Sequence, residues 1–160
     1  MPLSKLRSFL DSHNVKYLVI SHSLAYTAQG IAALAHVSGK KLAKTVIVKI
    51  DGVLAMAVIP ASLHVNLDLV KTLTGAKTVE IASELEFQNA FPDCETGAMP
   101  PFGNLYDMPV YADPVLAENE EITFSAGTHR ELVRMSWTDL VKLVNPAIEQ
   151  IAYRHSLAAA

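Results

Sequence analysis

The feature that most constrains the fold is a pair of apolar runs joined by Asp51-Gly52. The runs cover 45–50 and 53–59, and an Asp-Gly pair between two such runs predicts a β-hairpin with a type I′ turn. Both runs are almost continuously apolar, so we expect two central strands covered on both faces. Pro60 ends the second run, because proline cannot donate to a sheet ladder. The chain is therefore organised around a buried hairpin.

Helical and extended patterns alternate around this hairpin. Capping residues and apolar spacing predict helices that begin at Ser4, Thr27, Asn66 and Ser83, and a further helix over Trp137–Val144. Strands are predicted over 17–20, 77–81, Val110–Ala112, 122–125 and 132–135. The Gly- and Pro-rich stretch 95–106 is expected to be an ordered loop. Together these patterns predict an α+β fold with one curled, mixed and largely antiparallel sheet flanked by helices.

Length and composition place the chain among ordinary globular domains. Its 160 residues are 51% hydrophobic and 18% charged, with no repeat or linker, so we expect a single domain over 1–160. A single cysteine forms no internal disulfide. The apolar runs are too short to cross a bilayer, which needs about 20 residues, and the N-terminus lacks a signal-peptide pattern. We expect a cytoplasmic protein without membrane contact.

Charge is distributed unevenly along the chain. Residues 40–77 carry a net charge of +4 and residues 78–121 a net charge of −10, within a total of −3. A polyanion would therefore meet the first half of the chain, or Arg130, Arg134 and their neighbours. The alternative for any single lysine is a solvated side chain on a helix or strand edge.

Common catalytic signatures are missing from the sequence. The six histidines have no H-E-x-x-H spacing, one cysteine cannot begin a zinc cluster, and no Walker A loop or G-x-S-x-G elbow is present. We therefore expect no metal and no cofactor. Cys94 with His129 is an alternative nucleophile pair, but the acidic neighbours of Cys94 disfavour its thiolate.

Three short motifs follow one another along the chain. They are Ala43-Lys44-Thr45 with the apolar residues that follow, the segment 97–103 (Gly-Ala-Met-Pro-Pro-Phe-Gly), and the segment 125–129 (Ser-Ala-Gly-Thr-His). About 50 and 30 residues separate them. Together they resemble the family of YbaK and the prolyl-tRNA synthetase insertion domain, which are aminoacyl-tRNA deacylases that act in trans-editing.

The resemblance implies a metal-free and cofactor-free hydrolase for mischarged tRNA. Its substrate would be the ester that joins a wrong amino acid, such as alanine or cysteine on a proline tRNA, to the 3′-terminal ribose. The partners that the resemblance implies are the 3′ acceptor end of aminoacyl-tRNA and an aminoacyl-tRNA synthetase. The implied catalytic residues are Lys44, Gly97, Pro101 and His129; the implied substrate-binding residues are His22, Lys40, Lys41, Ala98, Met99, Phe102, Gly127 and Thr128. The chain resembles the free-standing form, and its oligomeric state stays open.

Elementary chemistry agrees with these roles and leaves alternatives. Lys44, at the entrance to an apolar strand, is a suitable fixed cation for a phosphate or oxyanion, although it could be an ordinary strand-edge lysine. The Gly97 segment could present preorganised amides or be an ordinary turn. His129 could orient the substrate amine or a water, or be a surface histidine. A non-catalytic nucleotide- or protein-binding module of the same fold is the competing function, and a thiol hydrolase using Cys94 is the third.

Overall fold

The computed structural model describes residues 4–21 and 39–154, and all structural statements refer to these ranges. They contain the helices α1 (Ser4–Ser12), α2 (Leu67–Thr74), α3 (Glu84–Phe87) and α4 (Trp137–Val144). The strands are β1 (Tyr17–Ser21), β2 (Leu42–Ile50), β3 (Val53–Pro60), β4 (Leu63–Val65), β5 (Val79–Ile81), β6 (Val110–Ala112), β7 (Glu121–Ser125), β8 (Glu131–Ser136), β9 (Ala147–Ile148) and β10 (Ala152–Arg154). Short 3-10 helices cover Gln88–Ala90, Gly103–Leu105 and Pro114–Glu118.

The predicted hairpin forms around Asp51 and Gly52. Ile50 pairs with Val53, and the two turn residues have φ values of 48° and 85°, which is the left-handed pair that a type I′ turn requires. The β2–β3 ladder continues to the pair of Ala43 with Pro60. β2 thus begins before the predicted run, and Lys44 lies within the ladder.

The main sheet has the strand order β1-β8-β7-β2-β3-β6-β9, and β5 pairs with β2 beside this path. The pairs β1–β8, β8–β7, β2–β3 and β2–β5 are antiparallel, whereas β2–β7, β3–β6 and β6–β9 are parallel. β4 and β10 form a separate two-stranded sheet. The predicted mixed and mostly antiparallel architecture is confirmed.

The edge of β2 opposite β3 has two different neighbours. β7 pairs only with Leu42 and Ala43, whereas β5 pairs from Val48 onwards. Backbone groups alternate along the strand: the carbonyl of Leu42 accepts from Ala61 on the β3 side, and that of Ile47 accepts from Ala82 on the other side. The backbone of Thr45 therefore points into a gap between β7 and β5. Within the described ranges no strand pairs with this stretch.

Two apolar clusters cover the two faces of the central hairpin. Met56 and Val58 of β3 belong to one cluster, whereas Ala55, Ala57 and Ile59 belong to the other. This alternation is the period of two expected for a strand buried on both faces. The central position predicted for the hairpin is confirmed.

Most predicted helix ends are also observed. Asn66 caps α2 through its side chain, and Gly75 ends the helix in the left-handed conformation. Ser83 and Glu86 form a reciprocal capping box at the start of α3. Ser136 caps α4, which ends at Val144 before Pro146 as predicted.

Some elements differ from the sequence expectation. The strand predicted over 77–81 begins only at Val79, because the backbone amides of Lys77 and Thr78 donate to Asp51 Oδ1 at 2.9 Å each. The short strands β4, β9 and β10 were not predicted. The helix predicted from Thr27 lies outside the described residues. In the described part of the chain, no helix has the length and apolar character needed to cross a membrane.

Replacement of Gly52 tests the hairpin directly. Gly52→Ala is expected to lower the free energy of unfolding by about 1 kcal/mol, because an alanine at φ +85° is strained although a Cβ there would meet no atom within 4 Å. Urea unfolding followed by circular dichroism measures this change. An unchanged midpoint would contradict the left-handed turn.

Candidate active site

A small pocket opens at the gap beside β2. It is lined by Leu42, Ala43, Lys44, Thr45, Gly97, Met99 and Ser125. The three sequence motifs, which are far apart in the chain, each contribute to this lining. The cavity volume, counted as the space that the centre of a water molecule can occupy, is about 20 Å³. The pocket therefore suits a very small chemical group.

Lys44 supplies the cation of this pocket. Its side chain is half-buried, and burial lowers the pKa of its ammonium group. Lys49, on the same strand, has the opposite environment: it forms ion pairs with Glu80 at 3.3 Å and with Glu86, and the hydrogen bond to Glu86 is the main cause that raises its pKa. Within the described ranges no ion pair to Lys44 is found. Lys44 is thus available to an anionic ligand.

Ser125 lies next to Lys44 across the end of the parallel ladder. Ala43 pairs with Phe124, so the following residues of the two parallel strands stand side by side with side chains on one face. Sequence reasoning missed Ser125 and also Thr45, although both lie within the recognised motifs. Their hydroxyl groups add polar character to the pocket.

The Gly97 segment forms the wall opposite Lys44. Gly97 has φ +85°, a conformation that favours glycine. The amide of Ala98 donates to the carbonyl of Glu95 at 3.0 Å, so this amide does not serve as a donor to a ligand, contrary to the expectation for the whole segment. The amides of Gly97 and Met99 have no backbone partner within the described ranges and are the remaining donors.

His129 is buried behind Gly97. Only 4% of its surface is exposed, so the alternative of a surface histidine is wrong. Its Nε2 lies 2.7 Å from the carbonyl oxygen of Thr96, which can only accept, and its Cε1 lies 3.5 Å from where a Cβ on Gly97 would be. His129 does not line the pocket. Its described contacts hold the Gly97 segment, and its contact with substrate stays a prediction.

The other predicted site residues surround the pocket at different depths. Ala98, Pro101 and Gly127 are buried, and Thr128 is half-buried with its hydroxyl bonded to Glu131 at 3.4 Å. Phe102 is fully buried, with its ring packed 5.5 Å from that of Phe124, so its placement is that of a core residue and not of a substrate contact. Lys40 and Lys41 are exposed immediately before β2. His22 lies outside the described residues.

Cys94 lies in a setting that suppresses its reactivity. Burial raises the pKa of its thiol to about 11, and its Sγ lies 3.6 Å from the hydroxyl of Tyr106. The thiol is therefore almost fully protonated at neutral pH, which disfavours nucleophilic catalysis. This environment weighs against the thiol-hydrolase alternative.

A wider groove lies elsewhere among the described residues. It encloses about 1060 Å³ between the end of α1, the 3-10 helix Pro114–Glu118 and the start of α4, and none of the predicted site residues lines it. The small pocket, and not this groove, is the candidate site, because the three motifs converge on the small pocket. Among the described residues no group of three or more potential metal ligands is found.

The chain belongs to the aminoacyl-tRNA editing domain family, whose model matches residues 22–143. This match confirms the family that the three motifs predict. It also confirms the enzyme class, since relatives are named as tRNA deacylases and such enzymes are hydrolases.

Individual relatives agree with this assignment. The multifunctional Ser/Thr-tRNA deacylase ProXp-y of Escherichia coli (strain K12) is 23% identical over 149 residues, which are 90% of this chain and 89% of that protein. The proline–tRNA ligase of Bacillus mycoides (strain KBAB4) is 30% identical over 87 residues, which are 54% of this chain and 15% of that enzyme. The chain thus matches only a small part of the synthetase.

Solved structures show the same fold. The hypothetical protein APE2540 superimposes with a TM-score of 0.84 at 21% identity, covering 94% of this chain and 100% of that chain. A candidate trans-editing enzyme for prolyl tRNA synthetase superimposes with a TM-score of 0.79 at 18% identity, covering 93% and 95%. These superpositions show that the fold is shared.

The protonated state of Cys94 is testable by alkylation. Iodoacetamide at pH 8 is expected to modify the folded protein at least about 100-fold more slowly than the guanidinium-unfolded chain, because only the thiolate reacts and the raised pKa reduces its fraction. Mass spectrometry over time measures both rates. Similar rates in the two states would contradict the buried, protonated thiol.

Proposed function

We propose that this protein hydrolyses the ester of mischarged aminoacyl-tRNA, with small amino acids such as alanine or cysteine on proline tRNA as substrates. The observation that carries the proposal is the convergence of the three motif segments on one pocket that holds a half-buried lysine. Water attacks the carbonyl carbon, the bond to the ribose oxygen breaks, and that oxygen leaves with a proton. The products are the free amino acid and the uncharged tRNA.

Three of the residues that line the pocket have roles that their chemistry supports. Lys44 binds a phosphate of the 3′-terminal nucleotide, because a partly desolvated ammonium attracts an anion more strongly than an exposed one. The amides of Gly97 and Met99 donate to the ester carbonyl, where negative charge develops during attack. The resemblance adds assistance by the vicinal ribose hydroxyl. No metal is required by these steps.

The pocket volume supports a small side chain as substrate. A cavity volume of about 20 Å³ accommodates a methyl, thiol or hydroxymethyl group better than a branched or aromatic side chain. The hydroxyls of Thr45 and Ser125 also favour polar substituents, and ProXp-y is named for serine and threonine. Serine is therefore included among the substrates to be tested.

A deacylation screen of the purified protein tests this function. The panel comprises alanine, cysteine, serine, threonine and proline on proline tRNA, with release of labelled amino acid as the readout. Hydrolysis of a small amino acid with proline spared supports the proposal. Loss of activity in EDTA that zinc restores would contradict the metal-free mechanism.

A binding module of the same fold is the second candidate. The net charge of −10 over residues 78–121 favours it, since this stretch repels the phosphate backbone of tRNA. The same screen separates the two functions, because a nucleotide- or protein-binding module hydrolyses no member of the panel.

Lys44→Ala is expected to reduce deacylation by at least about 100-fold with little change in thermal stability, because truncating a partly exposed cation removes an interaction with substrate and opens no core cavity. Lys49→Ala is the matched control, as it removes a lysine from the same strand whose ammonium is paired with Glu80 and Glu86. Single-turnover kinetics and thermal melts measure both variants. Near-normal turnover of Lys44→Ala would refute its assigned role.

The double change Lys40→Ala with Lys41→Ala is expected to weaken binding of intact aminoacyl-tRNA about threefold to tenfold while leaving hydrolysis of a minimal aminoacyl-nucleotide nearly unchanged. The reason is spatial, since both lysines are exposed just before β2, at the rim of the pocket. Filter binding and hydrolysis assays measure the two substrates. Equal losses on both would show that the pair shapes the pocket itself.

A further inference from the structure

Two loops that meet behind the pocket are joined by four hydrogen bonds. One loop contains Glu95, Thr96 and Gly97, and the other contains Gly127 and His129. The amide of Glu95 donates to Gly127 O at 2.8 Å, and the amide of Gly127 donates to Ala98 O at 2.9 Å. The amide of His129 donates to Glu95 Oε1 at 2.7 Å, and His129 Nε2 lies 2.7 Å from Thr96 O. These bonds align the loops side by side.

The carboxylate of Glu95 makes a distinct contribution to this connection. It accepts the main-chain amide of His129 in a short, charge-assisted bond. Because the amide belongs to His129, the bond fixes the backbone from which the imidazole projects. The imidazole in turn contacts the Thr96 carbonyl, immediately before Gly97. A chain of contacts therefore runs from Glu95 through His129 to the pocket wall.

The position of that wall matters for the reaction. Donors to a developing oxyanion act only when held within a few tenths of an ångström of their target. Gly97 has a left-handed backbone with no side chain of its own, so its position depends on the groups behind it. Glu95 itself is exposed, so its carboxylate contributes little to the core.

We propose that Glu95 is a positioning residue of the editing site, which acts through His129 to hold the Gly97 segment against the pocket. This inference rests on the proposed deacylase function. It adds a residue outside the three recognised motifs, two positions before Gly97. Its expected signature is a loss in kcat with an unchanged KM, because the wall is misplaced during reaction while the tRNA contacts remain.

The kinetic test compares three single variants. Glu95→Ala is expected to lower kcat about tenfold or more with KM within about twofold, whereas Glu95→Gln recovers most of the rate because its amide oxygen accepts the same bond. Glu84→Ala is the matched control: Glu84 accepts the hydroxyl of Thr96 at 3.2 Å and so supports the same loop without touching His129. Equal losses in Glu84→Ala and Glu95→Ala would overturn the proposal.

Coupling to His129 supplies the second test. If Glu95 acts through His129, Glu95→Ala in a His129→Gln background causes no further loss of kcat, whereas independent roles give multiplied losses. Multiplied losses would therefore overturn the proposal.

A spectroscopic readout separates this proposal from the function on which it rests. The chain has seven glycines, so the amide signal of Gly97 can be followed by NMR. Glu95→Ala is expected to shift the signals of Gly97 and His129, and Glu84→Ala to leave the His129 signal in place. An unshifted Gly97 signal in Glu95→Ala would overturn the positioning role. A wild-type protein inactive on every substrate would instead refute the deacylase function.

Discussion

The pairing of β2 along one edge determines where the candidate pocket of this protein lies. Within residues 4–21 and 39–154, β7 leaves the strand after Ala43 and β5 joins it only at Val48, so the backbone of Thr45 faces a gap. A continuous neighbour would fill this space with ladder hydrogen bonds and exclude a ligand. The interruption instead leaves main-chain groups without ladder partners between two buried parts of β2, Leu42–Ala43 and Ile47–Val48, among the described residues. Lys44, Ser125 and the Gly97 segment meet at that interruption.

The gap alone does not form a defined site, because its far wall is loop. The segment 95–98 has no regular secondary structure, and its geometry is set by hydrogen bonds to the turn between β7 and β8. That turn directly follows Ser125, the last residue of β7, so this connection places both the residue beside Lys44 and the support behind Gly97. Displacement of the turn would therefore change two sides of the pocket together.

The sequence predicted local features of this fold better than nonlocal ones. The Asp51-Gly52 turn and the caps at Asn66 and Ser83 are determined by neighbouring residues, so each could be predicted from a short window. The pairing of β2 with β7 joins segments about 80 residues apart, and no local pattern sets its register. The position of Ser125 beside Lys44 was missed for this reason.

Motif membership also failed to separate residues that line the pocket from residues that support it. Lys44, Gly97 and Met99 line it, whereas the Phe102 side chain lies in the core and His129 lies behind the loop. Both kinds of residue constrain the same geometry, so both occur in the same motifs. Only the folded positions distinguish a direct contact from a supporting one.

The electrostatic state of Lys44 favours the binding of an anion at the pocket. Its pKa is lower in the folded protein than in the unfolded chain, so the folded state binds fewer protons as the pH approaches the unfolded pKa. Stability therefore rises with pH through the interval between the two values, and below that interval the full cost of burying the charge is present. The contribution of Lys49 to stability depends on pH with the opposite sign, since its carboxylate partners raise its pKa. In the part of the chain that the structure describes, β2 pairs Lys49 with two carboxylates and leaves Lys44 half-buried without an ion pair. An anionic ligand at the pocket would offset the cost of burying the charge of Lys44.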